Sequence, residues 1–329
     1  MARVSIVLPS RNERFLPRTV QDLLDKAKGD IEVIPVLDGY DQPEPTFSDS
    51  RVKPVRLEPG RGMRGAIGAG IAESTGEFVM KLDGHCMVDE GFDVKLQDDM
   101  EENWVVIPRR HSLDAINWTF KHTGKSPVDA HFLSFPFELD RPGHGLHGQV
   151  WNDRARQRKD ILIDDEMSSQ GSCWFTTRTH WDRLLNPLDE VNYGNFVQEF
   201  QEIGNKVWLS GGRVVINKKT WYAHLHKGKE FGRGYFIDKR HMARGSRYCV
   251  WYWMNNLWTE RKYDLRWLIE KFWPVPSWPT NADGSPDWNM VERLTAQYNA
   301  EYDAARGEKT MGASAENHET IGPGQLMGI

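Results

Sequence analysis

Cysteine is scarce in this chain of 329 residues. There are three, Cys86, Cys173 and Cys249, far apart and odd in number. That pattern excludes a disulfide framework and a cysteine-built zinc site, and it fits a reducing cytoplasm. No run of eighteen apolar residues occurs, so no membrane-spanning helix is expected. The opening Met1-Ala2-Arg3-Val4-Ser5-Ile6-Val7-Leu8-Pro9 enters a strand pattern at once and lacks a signal-peptide layout. Net charge is small, −5, and gives the chain as a whole no character of a nucleic-acid binder. Internal repeats are also missing. What remains is the composition of a globular protein long enough for one large domain or two smaller ones.

Periodicity along the chain alternates between the two regular structures. Val4–Leu8 reads as a strand, Leu16–Ala27 as an amphipathic helix closed by Gly29, and Ile31–Leu37 as a second strand ending on Asp38-Gly39. Val52–Leu57 reads as a third strand, Gly60–Thr75 as a glycine-rich helix and Phe78–Leu82 as a fourth strand. This order predicts an α/β sandwich with a mostly parallel sheet. In such sheets ligands bind beyond the carboxyl ends of the strands. Pro9–Glu13, Asp38 and Asp83–His85 all fall there, which predicts a nucleotide site. Trp104–Ile107 and Gly171–Thr176 read as strands, and Phe196–Trp208 as a helix stopped by Gly211-Gly212. Arg213–Ile216 and Thr220–Ala223 read as two further strands. His111–Asp160 is rich in Pro, Gly and aromatics without periodicity and reads as an inserted, loop-rich acceptor region. Beyond Asp303 the composition predicts a disordered tail.

The stretch Phe78-Val-Met-Lys-Leu-Asp83-Gly84-His85-Cys86 carries the most chemistry. A strand stops on an acid, a glycine and a histidine. Side chains alternate along an extended backbone, so Asp83 and His85 share one side. One hard oxygen ligand and one imidazole suit a divalent metal such as Mn2+. The competing structural role is a polar turn.

These segments resemble a known family. Ser10-Arg11-Asn12-Glu13 with Arg18-Thr19-Val20, Val36-Leu37-Asp38-Gly39, and Leu82-Asp83-Gly84-His85-Cys86 are similar to motifs of GT-A-fold glycosyltransferases of the family 2 type. The last resembles the Asp-x-His metal motif of polypeptide N-acetylgalactosaminyltransferases. Gly171-Ser-Cys-Trp-Phe resembles the segment under the donor sugar. Glu199 and Glu202, before Gly211-Gly212, fall where the family has two glutamates, and Ala223-His224 where it has a third metal ligand. The resemblance runs over residues 3–230, with a poor match between 90 and 165.

The resemblance implies a Rossmann-like nucleotide-diphospho-sugar transferase fold with a helical, aromatic-rich C-terminal extension. It implies a catalytic domain over 1–226, split into a nucleotide-binding half, 1–90, and an acceptor half, 91–226. A basic aromatic lid and helical extension over 227–302 and a tail over 303–329 would follow. The implied cofactor is Mn2+ or Mg2+ with a UDP-sugar donor, glucose being the first choice. Asp83, His85 and His224 are the implied metal ligands; His226, two residues on, is the alternative to His224. Pro9, Arg11, Glu13, Asp38, Arg64, Gly84 and Gly171 are the implied donor-binding residues, with Asp38 on the base and Arg11 or Glu13 on base or ribose. Arg61 and Arg64 open a glycine-rich helix that suits phosphate or ribose, or form a solvated face. Glu199 is the implied general base or acceptor orienter, with Glu202 one turn on sharing the task. Gln198-Glu199 departs from the acidic pair usual in family 2. That family inverts whereas the polypeptide-specific group retains, so stereochemistry stays open.

Residues 224–262 hold nine Lys or Arg against three acids, interleaved with eight aromatics. Three readings compete: a lid over the diphosphate using Lys227 and Arg233, a nucleic-acid surface, and tryptophans packed on the core under a solvated basic face. The acceptor expected is a hydroxyl. A compact chain with this segment resembles phage-type transferases proposed to glycosylate hydroxymethylated pyrimidines in DNA, placing it in a host cytoplasm. Glycan, lipid-linked or protein acceptors, and a non-catalytic nucleotide-sugar binder, are the alternatives. A nucleotidyltransferase is disfavoured by the missing glycine-rich pyrophosphorylase signature.

Overall fold

A computed structural model describes residues 3–121, 127–137, 145–194 and 196–316. Its strands are β1 Val4–Ser10, β2 Ile31–Asp38, β3 Val55–Leu57, β4 Phe78–Leu82, β5 Cys86–Val88, β6 Trp104–Asp114, β7 Thr119–Phe120, β8 His131–Leu133, β9 Gly148–Val150, β10 Ile163–Asp165, β11 Cys173–Thr177 and β12 Arg213–His224. Its helices are α1 Leu16–Lys26, α2 Gly62–Ala72, α3 Phe92–Asp98, α4 Asn152–Gln157, α5 Arg178–His180, α6 Glu190–Tyr193, α7 Glu199–Ser210, α8 Gly228–Phe231, α9 Lys239–Met254, α10 Leu265–Phe272 and α11 Trp288–Glu316.

The main sheet runs β10-β12-β6-β11-β4-β1-β2-β3, with β5 joined to β12 and β7 to β6. From β4 to β3 all neighbours are parallel, as the strand–helix order predicts. β11 then runs antiparallel between β4 and β6, so the sheet is mixed in its second half. Val4, Ile6 and Leu8 of β1 join Leu16, Val20 and Leu23 of α1 and Phe92 and Leu96 of α3 in one apolar layer. Val7 faces the other way, onto Ala66, Ile67 and Ile71 of α2 and the layer containing Phe200, Ile203 and Val207 of α7. This alternation buries the sheet on both faces, as a parallel sheet requires. Gly70 lets α2 approach closely, since a Cβ there would lie 2.5 Å from Val7 Cγ1 and 2.7 Å from Val36 Cγ2.

Four expectations change. β6 extends past Ile107 to Asp114 because β12 pairs along its length. The two strands expected at 213–223 are one, with a bulge between Asn217 and Trp221 that absorbs the irregular residues without breaking the ladder. Residues 122–126 and 138–144 lie outside the described residues, and the described part of 111–160 is less loop-like than its composition suggests. It contains β7, the β8–β9 hairpin and α4, pinned by buried Leu133, Phe135 and Trp151. Residues 303–316 continue α11, being rich in helix-forming Ala and free of proline, while 317–329 lie outside the described residues. No described helix is long and apolar enough to cross a membrane.

The tryptophans of the extension are packed, as the third reading of the segment had it. Trp253 is fully buried and donates from Nε1 to Tyr193 Oη at 2.7 Å. Trp208 of α7 meets Phe272 of α10 edge-on at 5.4 Å.

Candidate active site

The carboxyl ends of β1, β2 and β4 and the start of β11 open onto one cleft of about 820 Å³. Pairing then delivers the distant histidine. β12 ends opposite β5, with His224 in register with Cys86, and the Leu225 amide donates to His85 O at 3.2 Å. Asp83, His85 and His224 each offer a ligand atom within 4.8 Å of the others. Asp83 Oδ2 lies 3.2 Å from His224 Nε2 and 3.8 Å from His85 Nε2. His226 lines the cleft with its ring 5.0 Å from that of His224 but stands outside the triad.

Electrostatics prepare Asp83 and His224 for a cation. Burial disfavours the Asp83 charge, but Lys81 above all, helped by both histidines, holds its pKa well below the usual carboxylate range. Burial, with His85 and His226 adding to it, lowers the His224 pKa to about 3 against the pull of Asp83. The imidazole is therefore neutral and keeps a lone pair for a metal. Its Nδ1 is buried with no hydrogen-bond partner. One carboxylate and two imidazoles fit a divalent cation of intermediate hardness.

Glu13 lines the cleft and stands against this triad. Its Oε2 stands 3.0 Å from His85 Nδ1 and pairs with Lys227, while Oε1 accepts from the Phe15 amide at 3.1 Å. Burial opposes its charge, and His85 and Lys227 outweigh that and lower its pKa. A carboxylate on the far nitrogen of a ligating histidine fixes the ring's orientation.

Glu199 opens α7 on the opposite wall. Trp174 Nε1 donates to its Oε1 at 2.7 Å, and Lys81 Nζ is 3.7 Å from its Oε2. Burial raises its pKa; Lys81 and Trp174 offset only part of that. Such a carboxylate is a stronger base than an exposed one. The preceding Gln198 has a left-handed backbone, φ 60°, which sets the helix start three residues later than the expected Phe196. Its Nε2 meets His147 Nδ1 at 2.8 Å, and its Oε1 accepts from Cys249 Sγ at 3.2 Å.

Other expected residues divide. Pro9, Arg11, Asp38, Gly171, Lys227 and Arg233 all line the cleft. Asp38 is more committed than a free base-reader: its oxygens accept from the Arg61 and Gly62 amides at 2.6 and 2.9 Å, capping α2. Arg61 itself turns to Glu190. Arg64 and Glu202 do not reach the cleft. They form a fully buried pair, with Arg64 also donating to Val197 O and lying 4.3 Å over the Tyr193 ring, and Lys206 completing Glu202. Neither is placed to touch a donor or acceptor. Gly84 is also off the lining; a Cβ there would lie 2.9 Å from Ser10 Oγ, so it permits the turn to pack on β1. Lys81, Trp174, Gln198 and His147 were given no site role of their own in the sequence reading. A lysine inside an otherwise apolar strand was the one available signal, for Lys81.

Residues 5–162 match the model of glycosyl transferase family 2. That match takes in β1 to β9 and, of the triad, Asp83 and His85. Over 268 residues it is 25% identical to a probable N-acetylgalactosaminyltransferase 7 of Caenorhabditis elegans, covering 77% of this chain and 44% of that protein. A polypeptide N-acetylgalactosaminyltransferase 5 of the same organism is 24% identical over 268 residues, covering 74% and 41%. The chain thus spans less than half the length of these curated relatives. The crystal structure of GalNAc-T7 with UDP, GalNAc and Mn2+ matches with a TM-score of 0.59 and 15% identity, over 78% of this chain and 50% of that one. That likeness shows the fold, which is GT-A. The span matched by the family 2 model ends at residue 162, before Glu199 and His224, which the remainder of the sheet and α7 bring back to it.

Proposed function

We propose that the chain transfers a sugar from a UDP-sugar to a hydroxyl acceptor, with Mn2+ or Mg2+ held by Asp83, His85 and His224. The observation that carries this reading is that triad in the same cleft as buried Glu199. The UDP and Mn2+ of the GalNAc-T7 structure support the same ligand classes. When bound, the cation supplies Lewis-acid stabilisation of the leaving diphosphate. Glu199 takes the acceptor's proton as the acceptor oxygen bonds the anomeric carbon and the bond from that carbon to the UDP oxygen breaks. Lys227 and Arg233, at the cleft edge, add positive charge for the diphosphate.

For the acceptor we propose a 5-hydroxymethylpyrimidine in DNA, with glucose as the donor sugar. Phe236 lines the cleft and is 90% exposed, suited to stacking on a base. The first turn of α9 also lines the cleft, and Arg240, Arg244 and Arg247 continue from it as exposed cations one helical turn apart. Three free, buried cysteines accord with a reducing cytoplasm, that of the host for a phage-encoded chain. A polypeptide hydroxyl is the second reading, favoured by the name of one relative.

The test is UDP release from UDP-glucose and UDP-N-acetylgalactosamine, with Mn2+ or with chelator. DNA with 5-hydroxymethylpyrimidines, ordinary DNA and a threonine peptide are compared as acceptors. Metal-dependent release stimulated by hydroxymethylated DNA, with one hexose mass added per modified base, is expected. Stimulation by peptide alone moves the acceptor to protein. Pyrophosphate in place of UDP would overturn the transferase reading.

A further inference from the structure

Lys81 lies just before the Leu82–Cys86 motif and lines the cleft. It lies within β4, and its side chain is 1% exposed. A buried ammonium is costly unless well paired, and a methionine or leucine would fill this strand position without that penalty. The pairing is complete. Nζ donates to Asp83 Oδ1 at 2.6 Å and to Gly171 O at 2.6 Å, and lies 3.7 Å from Glu199 Oε2. One cation therefore joins the end of β4, the loop before β11 and the first turn of α7.

The two carboxylates are each held from both sides by this arrangement. With Lys81 on Oδ1, Asp83 turns Oδ2 to the two imidazoles. Glu199 has Trp174 on Oε1 and Lys81 near Oε2, and Trp174 is the register partner of Lys81 across β4 and β11. Position and charge of both acids thus depend on one strand pair.

We propose that Lys81 is a positioning residue that orients Glu199 toward the acceptor, keeps the two acids from repelling each other and offsets part of the charge with which Asp83 attracts the metal. The proposal rests on the transferase reading above for Glu199 alone; its metal half stands without turnover.

Lys81→Met, Lys81→Ala and Lys81→Arg are compared with the unaltered chain by thermal unfolding, by Mn2+ titration using the electron-spin resonance of free Mn2+, and by steady-state UDP release. In Lys81→Met, Mn2+ is expected to bind about threefold or more tightly, because a like charge has left a buried site. Its kcat is expected to fall about 100-fold with KM for the UDP-sugar nearly unchanged, because Glu199 has lost its orientation. Methylammonium is expected to restore kcat saturably in Lys81→Ala and to leave the unaltered chain unaffected. A merely structural lysine would weaken Mn2+ binding, kcat and folding together, and that result overturns the proposal. So does unchanged kcat in a folded Lys81→Met. If Lys81→Met does not fold, Lys81→Arg decides: it keeps the charge but misplaces it, so Mn2+ affinity near that of the unaltered chain with reduced kcat is expected, and unaltered kcat refutes. If the unaltered chain releases no UDP from either donor, the transferase reading fails by itself, and tighter or unchanged Mn2+ binding in Lys81→Met still supports or refutes the metal half.

Discussion

Gly171 shows how tightly single residues are fitted at this cleft. Its φ is +77°, a region that suits glycine, and a Cβ there would lie 2.8 Å from Glu199 Oε2. Gly171→Ala is expected to lower stability by about 1–3 kcal/mol through backbone strain, and to lower kcat for UDP release about tenfold or more by displacing the carboxylate; urea unfolding and steady-state rates check the two effects separately. At this scale the sequence was legible where function needs a residue type at a strand end. Asp83 and His85, just past the end of β4, are of that kind. It was illegible where function depends on a partner. Nothing local distinguishes Glu13, which faces His85, from a ribose-binding acid, and nothing reveals that Arg64 meets Glu202 across 138 positions. Charged residues near a motif look alike until the tertiary fold selects their neighbours.

Elements decide the next set of outcomes. β12 reaches the cleft with His224 as its last residue, and His226 follows outside the ladder. Accordingly His224→Ala is expected to weaken Mn2+ binding by about tenfold or more, whereas His226→Ala shifts it by less than about threefold; Mn2+ titration separates them. On the other side of the sheet, Glu32 of β2 ties the strand to its surroundings. It accepts from Ser5 Oγ, the Thr75 amide and Thr75 Oγ1 and pairs with Lys53. Burial opposes its charge, but these partners, Lys53 foremost, lower its pKa to about 2 from the ordinary 4.5. The unfolded chain binds this proton more readily, so the stabilisation is whole above about pH 4.5 and is lost as pH falls toward 2. Glu32→Gln is therefore expected to flatten the acid limb of a stability-versus-pH curve in that window and to reduce stability at neutral pH. Strands were readable as short continuous apolar runs because the sheet is buried on both faces, and helices from their apolar period. Their ends were less so: the β12 bulge and the left-handed Gln198 are set by pairing and by His147 and Cys249, which lie far off in sequence.

Across the whole molecule, a net charge of −5 hides a local surface of the opposite sign. Arg240, Arg244 and Arg247 are exposed, and no carboxylate pairs with them among the described residues. If they contact DNA phosphates, replacing all three with serine should reduce the dependence of log affinity on log salt by about two to three units. Filter binding to hydroxymethylated DNA between low and moderate salt measures this slope; an unchanged slope would place the acceptor elsewhere. The overall architecture was largely visible in the order of elements, since strand ends gathered the motifs in the right place. What composition could not convey was the attachment of the extension, because packed and solvated tryptophans read identically in a sequence.

That attachment alters the meaning of a boundary at residue 226. Trp253 grips Tyr193, Tyr193 lies under Arg64, and Arg64 holds Glu202 on the same helix that presents Glu199; Cys249 separately grips Gln198 at its first turn. The extension is therefore a buttress rather than an appendage. The shape of the wall that presents Glu199 is inherited from residues that follow His224 in the chain, so the cleft becomes complete only after the whole of α9 has been laid against it.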